Sequence, residues 1–187
     1  MILYGIAGSN GSGKDSLAEF LAKTYGFLYV SSSDLLRAEA AKRGLSTERK
    51  NLHSISAEWR RETGLGVLVE KAVEHFNAQP VGTYKGLITG SLRNPAEADA
   101  IHAHQGKMIW TDADPKIRFG RLQSRGRSDD PTSFEIFQAE EAAEMQHSGD
   151  AATLSVGDVK TRCDIFLDNS SSNLEDFQKL VAEKLGL

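Results

Sequence analysis

Gly8-Ser9-Asn10-Gly11-Ser12-Gly13-Lys14 has the spacing G-x-x-x-x-G-K. Its chemistry is that of a phosphate cradle. Glycines let backbone N–H groups converge on phosphate oxygens with no Cβ in the way. A helix that starts where the loop ends adds positive partial charge, and Lys14 supplies a mobile cation for the outer phosphates. The plain alternative is a glycine-rich turn with an accidental lysine. The apolar strand expected before the loop and the helix expected after it favour nucleoside-triphosphate binding. Asp15 stands where a Mg2+-ligating Ser or Thr is usual, and Ser16 follows. Asp15 either touches Mg2+, directly or through water, or faces solvent at a helix start, where an acid is favourable.

The other residues with chemical potential are mostly arginines. Arg37 follows Ser31-Ser32-Ser33-Asp34, and Arg93 ends Leu87-Ile88-Thr89-Gly90-Ser91-Leu92. Arg118, Arg121, Arg125 and Arg127 crowd a short stretch that ends in Ser128-Asp129-Asp130-Pro131. The planar guanidinium fork binds phosphate bidentately, and phosphoryl transfer spreads negative charge that such a cluster neutralises. The alternative for the cluster is a solvated charged loop. Asp34 reads either as a base for a hydroxyl acceptor or as the N-cap of a helix at Leu35. Glu97 reads as the N3 partner of Asn94 in a capping box. His53, His75, His102, His104 and His147 show no metal-ligand spacing. The lone Cys163 is expected buried and inert, and Trp59 and Trp110 are expected to pack.

Short apolar runs alternate with amphipathic stretches and would position these residues. Strands are expected at Ile2–Ala7, Phe27–Val30, Gly86–Thr89, Lys107–Thr111 and Asp164–Leu167. Helices are expected at Ser16–Tyr25, Leu35–Arg43, Thr47–Thr63 (with Leu52, Ile55 and Trp59 on one face) and Gly66–Asn77. Asn94-Pro95-Ala96-Glu97 starts another, and Asp114-Pro115 a further one. Thr132-Ser133-Phe134-Glu135 is read as a capping box for a helix reaching about His147, and Ser172-Asn173-Leu174-Glu175 as the cap of the last. Ser148–Val159 shows no clear period and is expected to be a mobile connection or a poorly defined helix. Strands separated by helices argue for an α/β domain with a parallel sheet.

Composition bounds the rest. The 187 residues are 40% hydrophobic and 26% charged, with 22 basic against 26 acidic side chains and a net charge of −4. That fits one globular domain and excludes disordered, collagen-like and disulfide-scaffold classes. No basic excess points to nucleic acid. The apolar runs fall short of a membrane span, and the N-terminus lacks a charged signal-peptide region, so a cytoplasmic location is expected.

Five blocks of the sequence, over nearly its whole length, resemble the nucleoside-monophosphate-kinase branch of P-loop proteins. The likeness is to adenylate kinases, dephospho-CoA kinases and small nucleotide-kinase-like proteins. The loop G-S-N-G-S-G-K-D-S resembles G-x-P-G-x-G-K-G-T, with Ser16 at the Thr that contacts nucleotide phosphates. Tyr25-Gly26-Phe27…Ser31–Arg37 resembles Y-G-x…S-T-G-D-L-L-R, which assigns acceptor-phosphate contacts to Ser32 and Arg37. Leu87–Arg93 resembles L-I-D-G-x-P-R, which gives Arg93 the acceptor phosphate and puts Thr89 in place of an acid near Mg2+. Asp15 gained and Thr89 lost suggest a swap of carboxylates around the metal. Glu97 takes the place of a Gln that reads adenine. Arg118–Asp130 resembles a short lid, with Arg121, Arg125 and Arg127 as its closing cations. Gln138 stands where adenylate kinases carry a further Arg. Cys163–Ser170 resembles the A-D-x-V-I-x-N stretch beside the donor adenine, which assigns Asn169, Ser170 and Ser171 to that edge.

The resemblance implies a three-layer α/β P-loop NTPase fold with a five-stranded parallel sheet, a helical acceptor-binding region at about 34–80 and a lid at about 118–131. It implies transfer of the γ-phosphoryl group of ATP, with Mg2+ held at Asp15 and Ser16, to a small phosphorylated acceptor. The expected acceptor is a nucleoside or deoxynucleoside monophosphate bound by Ser32, Asp34, Arg37, Arg93 and Glu97. Gly8, Ser9, Asn10, Gly11, Ser12, Gly13, Lys14, Asp15 and Ser16 would hold ATP. Dephospho-CoA phosphorylation is the alternative acceptor chemistry. A nucleotide-binding switch or weak ATPase is the alternative class. A monomer is expected.

Overall fold

A computed structural model describes residues 1–126, 130–146, 149–171 and 173–187. Five strands, β1 (Ile2–Gly8), β2 (Leu28–Ser31), β3 (Gly86–Gly90), β4 (Lys107–Asp112) and β5 (Ile165–Asp168), form one sheet in the order β2-β3-β1-β4-β5. Every pairing is parallel. β1 is central because it is apolar on both faces, and two neighbours bury it. Leu3 and Ala7 join one core cluster while Tyr4 and Ile6 join the other. Gly5 lies in the middle of β1, where an added Cβ would stand 2.4 Å from Met108 Sδ.

Parallel strands need crossovers, and helices supply them on both faces. One face is covered by α1 (Lys14–Tyr25) and α9 (Leu174–Leu185), whose Leu17, Leu21, Phe177 and Val181 meet Ile6, Ile88 and Ile109. The opposite face is covered by α4 (Val67–Asn77), α5 (Pro95–Ala103) and α8 (Val156–Thr161), with Trp110 and Met108 inside. α2 (Ser32–Lys42), α3 (Arg49–Thr63) and α4 share a third, smaller core of Leu36, Ala40, Leu52, Ile55 and Leu68. α6 (Pro115–Arg125) and α7 (Phe134–Met145) follow β4. This is the expected three-layer arrangement.

Several boundaries differ for identifiable reasons. Ser31, not Asp34, caps α2, its hydroxyl accepting from the Asp34 N–H at 3.4 Å. Ser133, one residue later than expected, caps α7 by accepting from the Ile136 N–H at 3.3 Å. Asn173 caps α9, while Ser172 lies outside the described residues. The capping box of Asn94 and Glu97 is present in full.

The largest correction concerns the expected loose stretch at Ser148–Val159. Val156–Thr161 is a helix, and it is ordered by burial of Val156 and Val159. Just before it, Asn94 Nδ2 donates to Ala151 O and Thr153 O at 2.7 and 2.8 Å, and the Ser155 N–H donates to Arg93 O at 2.9 Å. These long-range ties leave no local period to read.

Candidate active site

The carboxyl ends of parallel strands open on the crevice where α/β proteins place their ligands. Here the crevice is a cavity of about 510 Å3. The phosphate loop, the start of α1, β2–α2, α3 and the β3–α5 turn all contribute to its lining.

The loop owes its shape to glycines at positions no side chain tolerates. Gly11 has φ 77°, and a Cβ there would stand 2.6 Å from Arg118 O. Gly13 has φ 91°, and its Cβ would stand 2.4 Å from Asn169 Nδ2. That Asn169 amide donates to Ser12 O at 2.9 Å, so the end of β5 holds the loop from behind. Arg118 holds the tip, donating to Asn10 O at 3.3 Å and to Ala113 O at 2.7 Å, with Glu141 paired to its fork. Lys14 lies back over the loop, its Nζ donating to Gly8 O at 3.0 Å and Ser9 O at 2.6 Å. Burial first, and the nearby Arg93 second, bring its pKa down to about 8. Charge at Lys14 is therefore poorly compensated until an anion arrives.

Asp15 and Ser16 also line the cavity. Asp15 Oδ1 accepts from the Tyr29 hydroxyl at 3.1 Å. Across from them, Ser32 is buried with its Oγ unpartnered, and Asp34 Oδ1 accepts from Arg37 Nη1 at 2.7 Å. Arg93 donates to Glu144 Oε2 at 2.7 Å and to Asn10 Oδ1 at 3.1 Å. Ser16, Ser32, Asp34, Arg37 and Arg93 thus face one space together with Lys14, Arg121 and Arg125. Arg121 Nη2 donates to Asn169 O at 2.8 Å, and its Nη1 is buried without a partner. Arg125 is paired with Asp130, Nε to Oδ2 at 3.2 Å. Arg127, the remaining lid candidate, lies outside the described residues.

Two sets of expected site residues stand elsewhere. Glu97 is fully buried and outside the cavity lining. Its carboxylate accepts from the Arg93 and Asn94 N–H groups at 2.8 and 3.0 Å and from Arg60 Nη2 at 2.6 Å. With both oxygens engaged, it does not reach a base, and its capping role accounts for it. Asn169, Ser170 and Ser171 also lie outside the lining. Ser170 Oγ donates to Asp168 Oδ1 at 2.5 Å and accepts from the Asp114 N–H at 3.0 Å, joining β5 to the start of α6.

The cavity has residues the motifs did not indicate. Arg49, His53, Ser56 and Arg60 line it from α3. Their spacing of four, three and four residues places them on one helical face, a polar stripe beside the apolar one. Burial first, and Arg93 next, hold His53 below its ordinary pKa. Thr89 is buried with Oγ1 unpartnered, and it does not line the cavity. Leu36, Leu52, Leu68 and Leu154 make the cavity's apolar walls.

Among the described residues no group of three or more His, Cys, Asp and Glu could hold a metal by itself. A Mg2+ that arrives with phosphates needs only one or two oxygen ligands from the protein. The Asp15 carboxylate and Ser16 hydroxyl are hard oxygen donors beside the loop, and they fit that need.

A parallel sheet in this strand order, a phosphate loop after the central strand and a cationic cavity above it define a P-loop kinase-like fold. The family model described as AAA domain matches residues 7–137, and the chain belongs to that family. It belongs equally with the UPF0200 proteins: it is 30% identical over 185 residues to UPF0200 protein TK1334 of Thermococcus kodakarensis, covering 95% of each chain. Among solved structures it is similar to TT1252 from Thermus thermophilus, with a TM-score of 0.60, 19% identity and 99% and 96% of the two chains covered. It is also similar to shikimate kinase from Bacteroides thetaiotaomicron, with a TM-score of 0.59, 15% identity and 100% and 99% covered. Those two likenesses show the fold. No described helix is long and apolar enough to cross a membrane.

Proposed function

We propose that this protein transfers the γ-phosphoryl group of Mg·ATP to a nucleoside or deoxynucleoside monophosphate. One observation carries the reading: Lys14 and Ser16 share a single cavity with Ser32, Arg37, Arg49 and Arg93. A triphosphate on the loop would therefore meet a second cationic site across one continuous space. A volume of about 510 Å3 suits a small polar ligand better than a macromolecule.

Lys14 takes the outer phosphates of the donor. Asp15 and Ser16 would hold Mg2+, which would supply charge neutralisation to the donor's outer phosphates. Ser32, Arg37 and Arg93 fix the acceptor phosphate. Arg121, Arg125 and Arg127 close over the transferring group. The donor base would lie outside the cavity, on the side of the loop where Asn169 to Ser171 stand. The apolar walls and the α3 polar stripe receive the acceptor base. Catalysis here is positioning and charge neutralisation, with little covalent work for the protein. A hydroxyl acceptor would need a base, and Asp34 is instead held by Arg37, which favours a phosphate acceptor.

A coupled ADP-release assay tests the reading. Its panel holds the common ribo- and deoxyribonucleoside monophosphates, dephospho-CoA, and shikimate, the acceptor named in one structural neighbour. The expected result is strong turnover with one monophosphate, reduced about 10²–10³-fold in K14A. Turnover with dephospho-CoA or shikimate alone would overturn the acceptor class. Slow release unchanged by every acceptor would make the protein a nucleotide-binding ATPase or switch.

A further inference from the structure

Arg93 approaches the cavity with its side chain only 26% exposed, and two of its donors are already engaged. Nη1 donates to Glu144 Oε2 at 2.7 Å, and Nη2 donates to Asn10 Oδ1 at 3.1 Å. Asn10 Nδ2 donates in turn to Glu144 Oε2 at 3.2 Å. The three side chains form a closed triangle between the phosphate loop, the β3–α5 turn and α7. Arg93 and Asn10 line the cavity, whereas Glu144 stands behind them. A guanidinium has five N–H donors. The triangle uses two, so Nε–H and one hydrogen on each terminal nitrogen remain for a ligand.

We infer that Glu144 is the positioning residue of the acceptor site: it anchors one edge of the Arg93 guanidinium to the phosphate loop through Asn10, and so sets the acceptor phosphate at a fixed distance from the donor. The inference rests on the phosphotransfer reading and deepens it. A carboxylate suits this task because a charge-assisted hydrogen bond is shorter and stronger than a neutral one. An arginine left to its own rotamers would grip a phosphate but would not fix where it sits. α7 is built for the purpose. Glu140 and Glu141, one turn earlier on the same face, meet Arg49 and Arg118. The helix thus sets carboxylates behind the arginines that surround the loop, and Glu144 is the one that touches both the loop and the acceptor cation.

A carboxylate beside a phosphate-binding arginine could instead act as a competitor that the acceptor must displace. Its place behind the cavity wall argues for positioning, and the two roles give opposite signs on removal. The test is calorimetric titration of AMP, CMP, GMP, UMP and the four deoxynucleoside monophosphates, dTMP included, into the ADP-loaded protein, in wild type, E144Q, E144A, R93M and R93M/E144A, with thermal melting as a fold check. The tightest-binding monophosphate should lose about tenfold or more in E144A and less in E144Q, since coupling between contacting side chains amounts to about 2- to 150-fold. In the R93M background the loss caused by E144A should be much smaller, because Glu144 acts mainly through Arg93; what remains reports its contacts to Asn10 at 3.2 Å and Arg49 at 3.9 Å. In turnover, E144Q should raise KM for the acceptor more than it lowers kcat. Equal or tighter binding in E144A and E144Q, or an undiminished loss in R93M/E144A, would overturn the positioning role while leaving the kinase reading intact. Absence of monophosphate binding in wild type would overturn the monophosphate reading, and this inference with it.

Discussion

Lys14 is the residue whose behaviour follows most directly from its surroundings. Its ordinary pKa of 10.5 falls to about 8 in the folded protein, first by burial and then by Arg93. Between about pH 8 and 10.5 the unfolded chain keeps this proton and the folded one has released it. The contribution of this group to stability therefore rises with pH across that window, and it is lowest below about 8, where folding must bury the charge. A bound triphosphate reverses the cost by pairing the ammonium. ATP affinity is expected to fall above pH 8, by up to about tenfold per pH unit, with one proton taken up on binding. K14M should be weak and flat across the same range, and titration calorimetry in buffers of different ionisation enthalpy would show it. Asp15 carries a second prediction. If it took over the metal from the acid missing at Thr89, D15A should raise the Mg2+ concentration for half-maximal nucleotide binding more than S16A does. Equal effects would return Asp15 to a helix-start role held by Tyr29. The phosphate loop and its lysine were legible in seven residues because backbone convergence on phosphate leaves few alternatives to glycine. Glu144 was not legible, because it meets Arg93 across 51 positions of sequence, and no local pattern encodes that distance.

Elements were legible where their signals are local, and lost where they depend on distant partners. All five strands and the main helices lie within a few residues of expectation, since each is an apolar run or stripe closed by a glycine or a cap. The miss at Val156–Thr161 has the opposite cause, because its order comes from Arg93, Asn94 and the core. Glu97 shows how an element can explain a residue that looked functional. It caps α5 and pairs with buried Arg60 of α3, whose side chain is 2% exposed against 0% for Glu97. Removing one partner of a buried pair strands the other charge. Glu97→Ala should therefore cost about 3–5 kcal/mol of stability, seen as an earlier denaturant midpoint. Where the variant still folds, its ranking of monophosphate acceptors should match wild type. A changed base preference with little lost stability would restore Glu97 as a base reader. Gly13 gives the matching prediction for the loop. Gly13→Ala meets both a left-handed φ of 91° and a clash with Asn169. It should cost about 1–3 kcal/mol and weaken ADP binding, because the loop can relax only by releasing Ser12 O from the Asn169 amide.

At the scale of the molecule, the cations around the cavity are each held by internal partners. Lys14 rests on the carbonyls of its own loop, Arg37 on Asp34, and Arg93 on Glu144 and Asn10. Arg125 rests on Asp130. These contacts come from the sheet, α2, α6 and α7, and they converge on one cavity. A ligand that spans it would add its own ties to the strand pairing and apolar packing that already join these elements. A bisubstrate with two nucleosides joined through five phosphates should therefore stabilise the protein more than ATP alone. At a hundredfold excess over Kd, binding adds about 2.7 kcal/mol. For a chain of this size that corresponds to a rise of about 5–10 °C in Tm. The increment over ATP should shrink in R93M and R37M, which remove cations that line the cavity, and persist in variants of exposed residues such as Lys179. A bisubstrate no better than ATP would mean that the two ends of the cavity are not bridged by nucleotides. The acceptor would then have to be sought among smaller anions that fit the arginine end alone.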